Sequence, residues 1–390
     1  MTDPIDWYFD TLPGAAFSEA LQGLRSQGPV VEARALGGAL PIYYIVGYEA
    51  LSAAFRDGER FPPAHAYQII SQPYIGETFM SMEEASHGVW RPPMMARFRR
   101  RAVEALGDGE LDAIAHDLID EIADAREADL VPTYTHRFAF AVICRQLGLP
   151  RDREADFYDW SMDLMFGGRD AEKSRRADLA LTEYVLPVLH DRRREPRDDA
   201  ISDWVHQEVG GEPIREESIL AHIRLVFTAG ATTTSDALGN GLHALLTHRE
   251  AWETVTRDPD RCEDAVQELL RWNPPVAAQP RFARPDRDIE CAGVPIPANS
   301  SVLFGIHAAH RDPEAFPDPD RFDIDRKPAG LLTFGPGLRT CPGMHLAQQN
   351  LRVGLRTLCE RLPTLELSQP GADAPCGILL RGPAALRARW

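Results

Sequence analysis

No apolar run in this chain approaches the ~18 residues that a helix needs to cross a bilayer. The opening MTDPIDWYFD has neither the basic start nor the apolar stretch of a secretory leader. The expectation is a cytoplasmic protein with no membrane partner. Cysteine is also sparse. The six residues Cys144, Cys262, Cys291, Cys341, Cys359 and Cys376 show no C-x-x-C spacing, which argues against a zinc site or a disulfide framework. Positive charge is in deficit, and the formal net charge of −17 disfavours general binding to nucleic acid or anionic lipid. One local exception is the basic run Arg91, Arg97, Arg99, Arg100 and Arg101. It reads either as a solvated helix face or as a docking patch for an acidic partner. Internal repeats and low-complexity tracts are absent.

What is present is ordinary for a globular chain: 44% hydrophobic and 26% charged residues. Length alone would suggest two or three domains. Between about residues 103 and 270, apolar residues recur at spacings of three and four among Ala, Leu, Glu and Arg, which predicts successive amphipathic helices. Pro29, Pro41 and Gly47 bracket the strand-like IYYIV, and Pro295 and Pro297 flank further short strands, so small sheets belong at the periphery. Residues 311–328 carry too many prolines for regular structure and predict an ordered meander. The Arg-rich piece from His190 to Ala200 reads as an exposed loop between helices.

The most informative stretch is FGPGLRTCPG, Phe334 to Gly343, followed by a helix-like segment. Gly335, Gly337 and Gly343 permit backbone conformations closed to other residues, and Pro336 and Pro342 fix φ and remove amide donors. The turn is therefore stiff. Backbone amides around it and the start of the next helix are expected to lower the thiol pKa of Cys341 and suit it to ligate iron. Taken alone, a lone cysteine reads equally as a buried structural residue.

Phe334, Gly337, Arg339, Cys341 and Gly343 resemble the haem-binding loop of the cytochrome P-450 family. The resemblance implies one mainly α domain over residues 1–390 with small peripheral β-sheets, and haem b held between a long distal helix and the proximal cysteine loop. It makes Cys341 the iron ligand, the thiolate favouring O–O cleavage, with Phe334 near the sulfur, Gly343 against the cofactor and Arg339 on a haem propionate. His87 and Arg91, in an H-x-x-x-R spacing that shares one helical face, resemble the family's propionate-binding segment. Pro92 and Pro93 are taken to mark a nearby helix start, and Arg281 in QPRFAR matches the contact to the other propionate. Glu268 and Arg271 are similar to the E-x-x-R pair, with Arg321 in PDRF as its third member, a structural triad holding the haem loop.

The segment from Ala221 to His248 shows the apolar stripe of a long helix interrupted by small and hydroxyl residues. Small-residue packing with threonine back-bonding would also produce it. It resembles the family's distal helix, with Ala229 and Gly230 leaving room above a flat cofactor. The usual pattern A-G-x-(Asp/Glu)-Thr-Thr is broken, because Thr232 stands at the acid position, followed by Thr233 and Thr234. Splitting O₂ consumes two protons, so an alcohol relay at Thr233 lacks its carboxylate. Three substitutes are open: Asp236 one turn along, a water chain held by Thr232, or a hydroxyl of the substrate.

These features point to a haem-thiolate monooxygenase that inserts one atom of O₂ into a hydrophobic small molecule, a monomer taking electrons from an external ferredoxin, since the chain carries no flavin or iron–sulfur module. Radical coupling or ring closure without oxygen insertion, and non-catalytic haem sensing, are the alternatives. Residues 61–86 read as a variable loop over the pocket, with Tyr67, Ile69, Ile70, Phe79, Met80 and Met82 favouring an apolar guest. Leu225, Thr228, Ala229, Val276 and Ala277 are further expected contacts.

Overall fold

A helix of 32 residues, Glu216–Thr247, runs through the molecule and is buried on nearly every side, as a helix that is apolar all round must be. The computed structural model describes Trp7 and residues 11–35, 38–369 and 371–390. Most of the amino-terminal stretch read above for a leader lies outside them. Around the long helix pack His136–Leu147, Glu154–Met165 and Met344–Arg361. Gly230 makes one of these approaches possible, because a Cβ there would stand 2.7 Å from Ile143 Cδ1. Phe140, Phe157 and Phe227 meet edge-on or tilted at 5.1–5.9 Å where three of these helices cross.

The strands are peripheral, as the proline and β-branched pattern predicts. A four-stranded sheet has the order Val30–Ala35, Leu40–Ile45, Ser301–Phe304, Gln279–Phe282, with only the central pair parallel. Because side chains alternate along a strand, Gln279 and Arg281 share a face and both reach the central cavity. No helix among the described residues is long and apolar enough to cross a membrane.

Between Ala309 and Met344 there is neither helix nor strand, so the meander is real. A buried ion pair organises it. Glu268 and Arg271, both 0% exposed, meet through two hydrogen bonds of 2.8 Å. Arg271 also donates to the carbonyls of His310, Pro319 and Arg321, at 2.9–3.2 Å. Glu268 accepts in addition from the Asp323 amide at 3.0 Å and from Arg326 Nε at 3.3 Å.

This corrects the expected third member. The Arg321 side chain is 70% exposed and turns to Asp323, whereas Arg326 supplies the second cation. The meander turns back between the two positions, so Arg321 gives its carbonyl to the cluster and Arg326 its guanidinium. Three other expectations change. The helix Ala171–Arg194 takes in the first part of the predicted His190–Ala200 loop, its last-turn arginines lying where the helix dipole favours cations. Residues 61–86 hold two short helices, Pro63–Ile70 and Gln72–Ile75, rather than an irregular loop. Pro92 and Pro93 lie in the last turn of the helix Glu84–Met94 and end it instead of starting it.

Removing one partner of a buried pair leaves the other charge uncompensated, at about 3–5 kcal/mol. Arg271→Ala is thus expected to unfold the protein at much lower urea concentration. Arg326→Ala should show a smaller loss, and Arg321→Ala a change within about 0.5 kcal/mol, as for an exposed side chain. Equal effects of the last two would contradict the assignment.

Candidate active site between the long helix and the cysteine loop

A cavity of about 380 Å³ separates the long helix from the loop Phe334–Gly343. The loop is held from behind: Thr333 Oγ1 donates to the Leu270 carbonyl at 2.8 Å, and the Leu332 amide donates to His310 Nε2 at 2.9 Å. Within it the Cys341 amide donates to the Phe334 carbonyl at 2.8 Å. Gly337 has φ +115° and a Cβ there would stand 2.8 Å from the Phe55 carbonyl, so only glycine fits. Gly343 departs from expectation. Its φ of −86° suits any residue, and it is as a lining residue, with no side chain between the cavity and Cys341, that its smallness matters.

Cys341 lines the cavity, and its thiol is pushed up, not down as expected. The side chain is open to the cavity, yet desolvation by the surrounding protein outweighs the Gly343 amide and the Arg91 charge that favour the thiolate. A cation in the cavity would reverse this balance, as metal binding deprotonates thiols.

One end of the cavity is cationic. Arg281 and Arg339 line it, Arg91 and His87 lie behind, and none of the three guanidiniums meets a carboxylate among the described residues. Arg281 is 5% exposed, donates only to its neighbour's carbonyl at 2.9 Å, and stacks over Tyr67 and Phe304 at 5.2 and 5.7 Å. Arg339 donates to the carbonyls of Phe79, Met80 and Met82 at 2.6–3.2 Å. Arg91 donates to the carbonyls of Leu338, at 2.9 Å, and Thr340. His87 Nε2 is buried without a partner. Its pKa is lowered to about 4 by burial and then by Arg339 and Arg91. Three guanidiniums with no salt-bridged carboxylate among the described residues, Glu83 acting on Arg339 only at longer range, and an orphaned imidazole nitrogen are the donor set that two buried carboxylates require. Above them lie apolar walls, and the loop offers one sulfur. The residues fit an iron porphyrin with two propionates.

The opposite wall comes from the long helix. Leu225, Ala229, Gly230, Thr233, Thr234 and Ala237 line the cavity, Thr234 being a contact that the sequence reading passed over. Thr228, Thr232, Thr233 and Thr234 each donate a hydroxyl to the carbonyl four residues earlier, at 2.7–2.8 Å. Thr233 therefore presents lone pairs to the cavity. Thr232, a further 100° around the helix, is 0% exposed and packs away from it, so it holds no water chain there. Thr228 and Ala277 are likewise buried behind the lining and are not contacts. Tyr67, Phe79 and Val276 do line the cavity, and Gln279 Nε2 donates to Tyr67 Oη at 3.0 Å.

The relatives of the chain give its family. A sequence profile described as Cytochrome P450 matches residues 152–372. The chain belongs to the cytochrome P450 family. It is 31% identical to 6-deoxyerythronolide B hydroxylase of Saccharopolyspora erythraea over 97% of this chain and 94% of that one. It is 30% identical to the mycinamicin IV hydroxylase/epoxidase of Micromonospora griseorubida over 100% and 99%. Among solved structures, the cytochrome P450 PksS of the Bacillus subtilis bacillaene synthase superimposes with a TM-score of 0.86 at 27% identity, covering 95% of this chain and 96% of that one. The protein is a P450 monooxygenase using haem b and O₂ on a small molecule.

The roof of the P450 cavity is pinned by His222, a residue the sequence reading did not single out. His222 Nε2 accepts from the Phe79 amide at 3.1 Å, its Nδ1–H donates to the Ser218 carbonyl at 2.7 Å, and its ring stacks on Trp90 and Phe79. Burial lowers its pKa to about 4. Unfolding restores an ordinary imidazole, which takes a proton at higher pH than the folded one. The stability His222 provides is therefore present above pH 6.5 and lost as pH falls towards 4. Urea midpoints should fall between pH 7 and pH 5, and the fall should be smaller in His222→Gln. An unchanged fall in the variant would contradict this.

Haem retention provides the second test. Arg281→Ala should speed haem transfer to a scavenging apoglobin about 10-fold or more, as loss of a charge-assisted hydrogen bond implies. An unaltered rate would show that Arg281 serves only packing.

Proposed function

We propose that Cys341 is the thiolate ligand of the haem, that His87, Arg91, Arg281 and Arg339 hold its propionates, and that the single domain formed by the whole chain hydroxylates an apolar, ring-shaped molecule of polyketide type. The observation that carries this reading is the facing of one cysteine and one cavity-lining threonine across a cavity with a cationic end. When bound, the haem supplies activation of O₂.

The residues of the chain do the rest. Tyr67, Phe79, Leu225, Ala229 and Val276 exclude water and orient the substrate by apolar contact. Relatives named as hydroxylases of macrolides and their precursors support the substrate class. Thr233 Oγ1, with its own proton committed to the Ala229 carbonyl at 2.7 Å, accepts a hydrogen bond from cavity water and steadies the last water of a proton chain. Asp236 stands behind it as the proton reserve in place of the missing acid. Burial raises its pKa to about 7, so it holds a proton near neutrality and can release it.

Electrons come, in this reading, from a ferredoxin-type donor meeting a cytoplasmic monomer beside the cysteine loop. The basic run contributes less than its sequence suggests. Arg97 is paired with Asp198 and Asp203 at 2.8 and 2.5 Å, and Arg100 with Glu104 at 2.7 Å. Exposed Leu338 and Val89, on segments joined by Arg91, add apolar contact. The absence of a carboxylate from the cavity wall beside Thr233 favours, as a second reading, radical coupling without oxygen insertion.

With a surrogate ferredoxin and reductase, Thr233→Ala is expected to lower product per NADH consumed by about 10-fold and raise peroxide correspondingly. Asp236→Asn should do the same below pH 7, where the native carboxyl holds its proton, and less above it. Unchanged coupling in both variants would remove the relay, and a dehydrogenated or cyclised product lacking label from ¹⁸O₂ would favour the second reading.

A further inference from the structure

Three residues beyond Thr233 on the long helix, and just outside the cavity lining, the Gly382 backbone leaves a recess. Asp236 occupies it, enclosed by protein yet not wholly sealed. One turn later, Asn240 Nδ2 donates to the carbonyls of Arg381 and Asn273, at 2.8 and 3.0 Å, fastening the carboxy-terminal hairpin to the same helical face. The hairpin closes on itself between Cys376 and Gly382, with paired amide bonds of 3.0 and 3.1 Å. It therefore presents Gly382 to Asp236 at a fixed distance. A Cβ on Gly382 would stand 2.7 Å from Asp236 Cγ and 3.0 Å from its Cβ, closer still to Oδ1, and would meet nothing nearer than this side chain. Gly382 is not among the positive-φ glycines. What requires glycine here is the carboxyl, not the backbone.

We propose that Gly382 is a positioning residue for proton delivery: by carrying no side chain it leaves the recess in which the carboxyl of Asp236 rests, one turn beyond Thr232 and beside Thr233. This rests on the reading of Asp236 as the proton reserve and extends it to a second element of the fold. Among the described residues the carboxyl meets no cation to hold it ionised. Tyr158 on the helix Glu154–Met165 is near enough to feel its charge, and His136 stacks on Tyr158 at 3.9 Å. Cys376 lies in the hairpin, and Asp159 is a further charge on the Tyr158 side. Arg381, next to Gly382, is turned away to Asn273 Oδ1 and the carbonyls of Leu12 and Gly377, at 2.9–3.1 Å. A neutral acid in such a recess donates its O–H proton to water towards Thr233, becomes the carboxylate, and regains a proton from water on the far side, so charge and protons balance over a turnover.

A Gly382→Ala side chain would turn the carboxyl out of the recess. The test is made on haem-loaded protein with surrogate ferredoxin and reductase, together with infrared titration of the protonated carboxyl band that disappears in Asp236→Ala. In Gly382→Ala the band's titration midpoint should fall by about one pH unit or more as the acid gains solvent. Product per NADH should drop on the order of tenfold with substrate dissociation constant unchanged. The double variant Asp236→Ala/Gly382→Ala should couple no worse than Asp236→Ala alone, and should recover any thermal stability lost in Gly382→Ala, because the overlap is gone. An unchanged midpoint and coupling in Gly382→Ala would overturn the positioning role while leaving Asp236 as proton reserve. Unchanged coupling in Asp236→Ala would overturn both.

Discussion

The buried pair of Glu268 and Arg271 is the constraint on which the proximal half of this molecule depends. Neither side chain touches water, and between them they satisfy the carbonyls of His310, Pro319 and Arg321 and the amide of Asp323. More than thirty residues between Ala309 and Met344 have no regular structure to fix them. Their backbone polar groups must find partners elsewhere, and this pair provides several at once. The helix bearing it also holds the start of the cysteine loop through Thr333 and the Leu270 carbonyl. In the proposed reading the loop keeps the Cys341 sulfur aimed at the haem iron, which needs such rigidity. A buried pair provides it at a desolvation cost that only several hydrogen bonds offset.

Across the cavity the constraint is of another kind. The long helix is bound by packing on nearly all sides, and its threonines spend their hydroxyl protons on its own carbonyls. This leaves Thr233 as an acceptor facing inward, and in the proposed reading the acid is Asp236, off the cavity wall. Asp236, one turn on, lies against the carboxy-terminal hairpin. In the proposed reading, proton supply and the packing of that hairpin are one problem.

Much of this was legible in the chain itself. The glycines and prolines around Cys341 predicted a stiff turn because they act locally, and Gly337 adopts the backbone only glycine tolerates. The E-x-x-R spacing was legible because three residues is nearly one helical turn. What was not legible depends on where irregular backbone goes. Arg321 and Arg326 are equally plausible partners for Glu268 until the meander is drawn, and it turns so that the later one arrives. The thiol pKa was expected to fall from the amides nearby, but its direction is set by how much protein surrounds it, which no ten-residue window reports. Thr232 and Thr233 are adjacent in sequence and 100° apart on the helix, and that angle separates a packing residue from a cavity one. Gly382 and His222 act across long sequence separations and carry no motif.

The central claim is the bond from Cys341 to haem iron, and the spectrum of the reduced carbon monoxide complex tests it most directly. The account predicts the long-wavelength Soret band of a thiolate-ligated haem in the native chain and its replacement by the band of an imidazole-ligated haem in Cys341→His. A native complex already absorbing at the imidazole position, or a spectrum that Cys341→His leaves unchanged, would contradict it.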